Sequence, residues 1–283
     1  MPGGPTAFVL AGGGSLGAVQ AGMLLALTEA GVRPDFILGS SVGALNAAFF
    51  AGAPDAAGAA RLAEIWYGLS RADVFPFSPT RLLGILRRTD SIVDPTPLRR
   101  LIEKHLSFPR IEEARLPLHV MATDPQGLGV RLSQGPAVEA ILASAAIPGI
   151  FPPVTIEGRE LMDGAIAANT PLRMAVKLGA GRIIILPTGY ACALATAPQG
   201  AIARMLHAVT LLIAWQLMHE IDAMPKDVAV HLAPALCPLE VSPADFSASR
   251  QLIARAHSGT AAWIATGGLT RRAKSSELSA HHH

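Results

Sequence analysis

The sequence predicts an α/β protein in which a mostly parallel central sheet lies between two layers of helices. Short, continuous apolar runs at 8–11 and 36–38 are typical of buried parallel strands. Each run is followed by small residues and then by helical spacing of apolar side chains, at 18–30 and 42–50. This alternation continues along the chain, which favours one three-layer domain.

The remaining elements follow from the same patterns. We expect helices near 56–69, 95–106, 137–145, 172–178, 202–221 and 249–266, and strands at 118–122, 130–132, 182–186 and 228–232. The single domain then covers residues 1–268. The polar stretch 269–283 is expected to be a frayed tail, and its histidines at 281–283 resemble a purification tag.

The composition excludes several classes of protein. Of the 283 residues, 51% are hydrophobic and 16% are charged, so the chain can bury a large core. The 23 basic residues nearly balance the 21 acidic ones, which argues against a nucleic-acid partner. Cys192 and Cys237 are too few for a disulfide scaffold or a zinc site.

The hydropathy predicts a soluble protein. Mean hydropathy is +0.39, yet no stretch approaches the roughly 18 apolar residues of a spanning helix. The N-terminus lacks the charged region of a signal peptide, so we expect a cytoplasmic location. Peripheral membrane association and secretion without a cleaved signal remain open, and the oligomeric state is not predicted.

The glycines at 12–17 fit the dinucleotide-binding pattern G-x-G-x-x-G after a strand. That interpretation requires an acidic residue at the carboxyl end of the second strand. Asp35 precedes that strand, and Gly39-Ser40-Ser41-Val42-Gly43 follows it. The cofactor interpretation is therefore rejected, and no cofactor is expected.

The pattern Gly39-x-Ser41-x-Gly43 between a strand and a helix has the form of a nucleophile elbow. A serine there occupies a sharp turn that only small neighbours accommodate. The N-terminus of the following helix favours negative charge at the hydroxyl. We expect Ser41 to be a catalytic nucleophile.

The first glycine turn suits an oxyanion hole made by Gly12, Gly13 and Gly14. Its strand is expected beside the strand that precedes Ser41, about 4.8 Å away. The backbone N–H groups of Gly13 and Gly14 then project beside the Ser41 hydroxyl, and a glycine turn lets such donors approach closely.

The base that activates Ser41 is less evident. The histidines at 105, 119, 207, 219, 231 and 257 lie outside glycine-rich loops and are interpreted as structural. Asp163 follows a short strand and has apolar neighbours, so burial could keep it basic enough to accept a proton. A turn-forming role for Asp163 and the competing carboxylate of Asp124 stay open on the residues alone.

At this point the chain resembles the patatin-like phospholipases from Phe8 to about Leu232. Four segments carry the resemblance: Gly12-Gly13-Gly14-Ser15-Leu16-Gly17, Gly39-Ser40-Ser41-Val42-Gly43, residues 143–153 (ASAAIPGIFPP), and Asp163-Gly164-Ala165 continuing to Asn169-Thr170-Pro171. The resemblance implies a patatin-like catalytic domain with a Ser41–Asp163 dyad, an oxyanion hole at the Gly12–Gly14 turn, and no metal.

The implied activity is hydrolysis of lipid carboxylic esters through an acyl-enzyme. Many relatives carry Arg or Lys where this chain has Leu16, which puts a preference for phospholipid in doubt. The alternatives are an acyltransferase that uses the same dyad and a catalytically silent lipid-binding protein. The expected partner is a lipid or another acyl-ester substrate.

Residues 66–88 are unusually aromatic for this chain and combine apolar residues with arginines. They suggest a lid or a transient contact with a membrane surface. The residues that would carry this contact are Trp66, Phe75, Phe77, Leu82 and Leu86. An ordinary helix facing the core, with its arginines extended into solvent, is the alternative.

Overall fold

The computed structural model describes residues 4–76, 91–189, 201–237, 239, 241–243 and 245–278. Its strands are β1 (Thr6–Leu10), β2 (Phe36–Ser40), β3 (Leu118–Thr123), β4 (Gly129–Leu132), β5 (Val154–Ile156), β6 (Arg159–Asp163), β7 (Arg182–Leu186) and β8 (Ala229–Leu232). Its helices are α1 (Ala18–Glu29), α2 (Val42–Ala51), α3 (Ala56–Gly68), α4 (Arg71–Val74), α5 (Thr96–His105), α6 (Ala137–Ser144), α7 (Ala165–Ala168), α8 (Leu172–Lys177), α9 (Ala201–Asp222) and α10 (Ser249–Ala265).

The described strands form one mixed sheet, mostly parallel. Its order is β5-β6-β3-β2-β1-β7-β8, with β4 paired to β3. The pairs from β3 through β2, β1 and β7 to β8 are parallel, whereas β4, β5 and β6 pair antiparallel. The carboxyl ends of the parallel strands share one edge, which we call the carboxyl edge.

The partners of β3 decide where β6 lies. β4 pairs with β3 from Val120 to Thr123 and occupies one flank of that strand. β2 pairs with Leu118–Met121 on the other flank and ends there at Ser40. β6 pairs with Ala122 and Thr123, so it takes the flank that β2 leaves vacant. Consequently Asp163, the last residue of β6, lies just beyond the end of β2.

Each face of the sheet is covered by helices. Phe8 and Leu10 of β1 pack in one core with residues of α1, α2, α3 and α10. Ala7 and Val9 point to the other face and pack with α8 and α9. Alternating side chains of a strand point to opposite faces, so one fully buried strand supplies both cores. The predicted three-layer α/β/α architecture is confirmed.

Several short elements differ from the sequence-based expectation. Only one short strand is expected before Asp163, where the structure has the hairpin of β5 and β6, and the four-residue helices α4 and α7 are absent from the expected set. The expected fraying of the C-terminal tail is wrong for residues up to 278. Ala273 and Leu278 are buried in the second core, and the Ala273 amide donates to the Val230 carbonyl of the edge strand β8.

Arg272 should be the main polar anchor of this C-terminal segment. Its guanidinium donates to the backbone carbonyls of Met224, Pro225 and Val228. We expect Arg272→Ala to lower the free energy of unfolding by about 1–2 kcal/mol, because charged donors that satisfy carbonyls are worth about that much. Arg271→Ala, an exposed neighbour, is the control, and urea denaturation measures both. Equal stability of the two variants would contradict this assignment.

Candidate active site

Ser41 occupies a sharp turn between β2 and α2. Its backbone has φ 54° and ψ −127°, a conformation with positive φ that is uncommon outside glycine. A Cβ at position 39 would lie 2.4 Å from the carbonyl carbon and oxygen of Gly43, and a Cβ at position 43 would lie 2.3 Å from the Leu10 carbonyl oxygen. Both glycines of the G-x-S-x-G pattern are therefore required by close backbone approach.

The Ser41 hydroxyl faces the Asp163 carboxylate. Ser41 Oγ donates to Asp163 Oδ2 over 2.7 Å, and the two residues are 7% and 3% exposed. The second carboxylate oxygen, Oδ1, accepts from the Ala165 amide at the start of α7. The carboxylate is thus held in one orientation, with one oxygen left for Ser41.

Burial makes Asp163 a stronger base than an ordinary aspartate. Removal from water raises the pKa of its carboxyl from 3.8 to about 6, although the hydrogen bonds from Ser41 and Ala165 act to lower it. The carboxylate is therefore ionised at neutral pH and still has appreciable proton affinity.

Ser144 and Thr123 hold the backbone around this pair. The Ser41 amide donates to Ser144 Oγ, and the Gly164 amide donates to the Ser144 carbonyl. Thr123 Oγ1 donates to the Asp163 carbonyl over 2.8 Å. Ser144 belongs to one of the segments that carry the family resemblance, but the sequence assigned it no role.

The three backbone amides of the glycine turn differ in whether they are hydrogen-bonded. The Gly12 amide donates to both Oδ1 and the backbone carbonyl of Asn169. Among the described residues, neither the Gly13 nor the Gly14 amide makes a hydrogen bond. The expectation that Gly12 also serves as an oxyanion donor is therefore revised, because its N–H is already used.

The three glycines nevertheless share one requirement for close approach. A Cβ on Gly12 would lie 3.2 Å from the Ser41 Cβ, one on Gly13 would collide with Thr188, and one on Gly14 would lie 2.5 Å from the Pro243 carbonyl oxygen. Gly14 also has φ +60°. These contacts show how tightly the turn packs between Ser41 and the loops beside it.

A chain of buried amides fixes the turn from beneath. Gln20 Nε2 donates to the carbonyls of Ala11 and Leu186, at the ends of β1 and β7. Asn46 Nδ2 donates to Gln20 Oε1 and to the Gly17 carbonyl. The indole N–H of Trp66 completes the chain by donating to Asn46 Oδ1. Nothing in the local spacing of the sequence had indicated Gln20 or Asn46.

An apolar cavity opens at Ser41 and Gly14. The enclosed cavity is narrow, about 50 Å³, and the space free of protein atoms is about 500 Å³ when the open solvent at its mouth is included. Its other lining residues are apolar, namely Val42, Leu45, Trp66, Leu69, Val74, Phe75, Leu98, Leu101, Ala145, Ile147, Phe151 and Phe246. A hydrocarbon chain is the ligand that such a lining suits.

The aromatic segment has a different role from the expected membrane contact. Trp66 is 2% exposed and stacks on Phe246, and Phe75 stacks on Phe151, so both line the cavity. A membrane contact through Trp66 is therefore wrong. Phe77, Leu82 and Leu86 lie outside the described residues.

The remaining candidates make contacts of other kinds. Asp124 closes its own turn by accepting from the amides of Gln126 and Leu128. His119 lies on β3 beside Arg131, and burial together with that cation lowers its pKa to about 4. Leu16, which replaces the basic residue of many relatives, is 8% exposed and packs in the first core.

Comparison with known proteins identifies the family of the chain. A family model described as patatin-like phospholipase matches residues 8–176. The match covers more than half of this chain, and it includes both Ser41 and Asp163. The chain belongs to the patatin-like phospholipase family.

Individual relatives are much longer proteins. Mouse patatin-like phospholipase domain-containing protein 7 is 30% identical over 192 residues, which cover 67% of this chain and 14% of that protein. Lysophospholipase NTE1 of Mycosarcoma maydis is 26% identical over 189 residues, 64% of this chain and 9% of that protein. The chain therefore spans only a small part of these relatives. Among solved structures, VipD from Legionella pneumophila has a TM-score of 0.46 at 15% identity, covering 93% of this chain and 66% of VipD.

The helices within the described ranges include none with the length and apolar character needed to cross a bilayer.

The buried carboxylate should make stability depend on pH. Because the folded pKa of Asp163 is about 6 and its ordinary value is 3.8, the folded state binds the proton more tightly than the unfolded state. Stability contributed by this proton is present below about pH 4 and is lost as pH rises to about 6.

Relative to Asp163→Asn, the wild type should therefore lose up to about 3 kcal/mol of unfolding free energy between pH 4 and pH 7. Urea denaturation of both proteins across this range measures the difference. If the free energy of unfolding depended on pH in the same way in both proteins, the pKa of the Asp163 carboxyl would not be raised in the folded state.

Proposed function

We propose that the protein is a serine acyl-ester hydrolase that cleaves carboxylic esters of lipids through an acyl-enzyme on Ser41. The observation that carries the proposal is the 2.7 Å hydrogen bond from Ser41 Oγ to a buried carboxylate at the mouth of an apolar cavity. Such a pair joins a nucleophile to a base of raised pKa.

Acylation begins when Ser41 Oγ attacks the ester carbonyl carbon and its proton passes to Asp163 Oδ2. The carbonyl oxygen of the tetrahedral intermediate then accepts from the free amides of Gly13 and Gly14. Collapse expels the alcohol, which takes the proton from Asp163, and leaves the acyl group on Ser41. Water next attacks the acyl carbon, again giving a proton to Asp163. When the intermediate collapses, Ser41 Oγ recovers that proton and the carboxylic acid is released.

The surroundings favour the charge that develops in these steps. Ser41 precedes the N-terminus of the ten-residue helix α2, whose dipole stabilises negative charge near the hydroxyl. Preformed donors in a site that excludes water stabilise an oxyanion by about 2.7–4 kcal/mol each. Gly13 and Gly14 suit this role because neither amide makes a hydrogen bond to any residue that the structure describes.

The apolar cavity supports a fatty acyl chain as the part of the substrate bound beside Ser41. Family membership supports a lipid ester, and the printed name of the fungal relative is that of a lysophospholipase. Leu16 is apolar and buried, so this position of the glycine turn supplies no cation for a phosphate group, and a preference for phospholipids over neutral lipid esters stays in doubt.

Hydrolysis of p-nitrophenyl esters from acetate to palmitate tests the proposed chemistry. We expect Ser41→Ala and Asp163→Asn each to reduce kcat/KM by at least about 10³-fold, since the two groups act as one unit. Asp124→Asn is the matched control, because this carboxylate only closes a turn, and it should keep wild-type activity. Retention of activity in folded Ser41→Ala would contradict the proposal.

The pH profile should report the proposed base. Because Asp163 must be ionised to accept a proton and its pKa is about 6, kcat/KM should fall about tenfold per pH unit below pH 6. Above pH 7 it should be constant until another group titrates. A profile that is flat down to pH 4.5 would exclude a base with this pKa.

The cavity should also determine acyl-chain preference. Val74 lies on the short helix α4, is partly buried, and lines the cavity. We expect Val74→Trp to lower kcat/KM for the palmitate ester at least tenfold while leaving that for the acetate ester within about twofold, because a short acyl group does not reach the obstruction. Equal losses for both esters would show that the chain does not bind there.

A further inference from the structure

Five large apolar side chains are well exposed to solvent among the described residues. They are Leu128 (66%), Ile166 (49%), Leu211 (42%), Leu212 (69%) and Trp215 (59%). We call this set the edge surface. Single exposed apolar residues are ordinary, but a group at one place marks an interaction site.

Three of these residues lie on one side of α9. Its buried side consists of Ala214, Leu217 and Ile221, which pack in the second core at helical spacing. Leu212 and Trp215 lie on the opposite side, with Leu211 beside them. An amphipathic helix normally presents polar residues there, so these side chains are not explained by folding.

The contacts of Gln216 show where this part of α9 lies along the direction of the strands. Gln216 Nε2 donates to the Ala167 carbonyl, and its Oε1 accepts from the Asn169 amide. Both partners follow Asp163 beyond the carboxyl edge. α9 runs from that edge toward β8, so Leu211, Leu212 and Trp215 lie level with the edge or beyond it, at about 1.5 Å per residue.

Leu128 and Ile166 extend the same surface past the proposed active site. Ile166 lies on α7, which begins directly after Asp163 and Gly164. Leu128 lies in the turn that joins β3 to β4, again at the carboxyl edge. A Cβ on Gly129 would lie 3.5 Å from the Ala167 Cβ, so this turn packs beside α7.

From Leu211 toward the C-terminus of α9, the exposed side chains change from apolar to polar. Trp215 stacks on His219, with ring centroids 5.3 Å apart, and the exposed Asp222 follows one turn later. An aromatic ring between apolar and charged residues is the arrangement of side chains at a membrane–water interface.

We infer that the edge surface rests on a lipid surface and brings the mouth of the active site to ester substrate held there. This inference rests on the proposed function, because an enzyme whose substrate is lipid must meet it in a lipid phase. The occupant is a lipid bilayer rather than a second copy of the chain. A stable dimer buries about 800 Å² and about 20–30 residues per partner. Five side chains suffice for shallow insertion into a bilayer.

The experiment is co-sedimentation with phosphatidylcholine vesicles, made in the Ser41→Ala background so that no lipid is consumed. We expect Leu212→Ser combined with Trp215→Ser to weaken vesicle binding at least tenfold. Asp222→Ala, exposed on the same side of α9 but far from the edge, is the control and should bind like its parent. In the active background, the double variant should hydrolyse p-nitrophenyl butyrate within about twofold of the wild-type rate.

Tryptophan fluorescence gives an independent measurement. Trp66 is buried, and Trp263 on α10 is partly buried and packs against the first core. A blue shift on addition of vesicles should therefore come from Trp215. Trp215→Phe should lose the shift while retaining at least half of the vesicle affinity, whereas Trp263→Phe should keep the shift. Unchanged binding by the double variant would overturn the inference. The inference would also be overturned if the parent protein self-associated and showed no affinity for vesicles, and if the double variant abolished this self-association. The edge surface would then join two copies of the chain.

Failure of the proposed function would be recognised separately. It would appear as folded protein that binds vesicles but cleaves no ester. If the proposed function is correct and only the membrane inference is wrong, the protein will hydrolyse esters in a Ser41-dependent manner but will not bind vesicles through the edge surface.

Discussion

The hydrogen bond between Ser41 and Asp163 depends on a position beside β3 that β2, the shorter strand, leaves unpaired. We call this position the vacancy in the sheet. β2 ends while β3 continues for two more residues, and β6 pairs antiparallel with those two. This arrangement brings a residue 122 positions away in the chain within 2.7 Å of the elbow serine. Placement at the end of a strand rather than on a loop restricts the carboxylate, which is what the proposed catalytic pair, with no imidazole between its members, would require.

The same vacancy explains the electrostatics of the site. A carboxylate at the end of β6 is covered by the segment after α6 and by α7, so water is excluded and its proton affinity rises. Burial of an ionised group lowers stability, and under the proposed mechanism it also supplies a base suited to neutral pH, which is a common compromise between stability and activity. Hydrogen bonds from Ser41 and Ala165 limit the cost.

A second constraint follows from the proposed oxyanion hole, which needs the Gly13 and Gly14 amides unpaired, as they are within the described part of the chain. Unpaired amides are unfavourable in a protein interior, so the turn is held by its neighbours. Asn169 takes the Gly12 amide, Thr188 donates to the Gly12 carbonyl over 2.7 Å, and the Gln20–Asn46–Trp66 chain fixes the strand ends beneath. We infer that Asn169 is a positioning residue for the turn.

Local sequence patterns predicted much of this architecture because parallel strands and elbow glycines have strict local requirements. The G-x-S-x-G spacing placed Ser41, and the alternation of strands and helices predicted the layers. Asp163 could be assigned only through the family resemblance, because the β3–β6 pairing that delivers it is a contact distant in sequence. Gln20, Asn46 and Ser144 act through buried long-range hydrogen bonds, which leave no local spacing to recognise. The aromatic residues Trp66 and Phe75 were read correctly as unusual, but composition could not distinguish a cavity wall from a membrane contact.

Covalent labelling tests the central claim most directly. An alkyl fluorophosphonate forms a stable adduct with an activated serine, and peptide mapping by mass spectrometry identifies the residue. The account predicts a single adduct on Ser41, formed at least 100-fold more slowly in Asp163→Asn and at the wild-type rate in Asp124→Asn. Labelling of another serine, or an undiminished rate in Asp163→Asn, would contradict activation of Ser41 by Asp163.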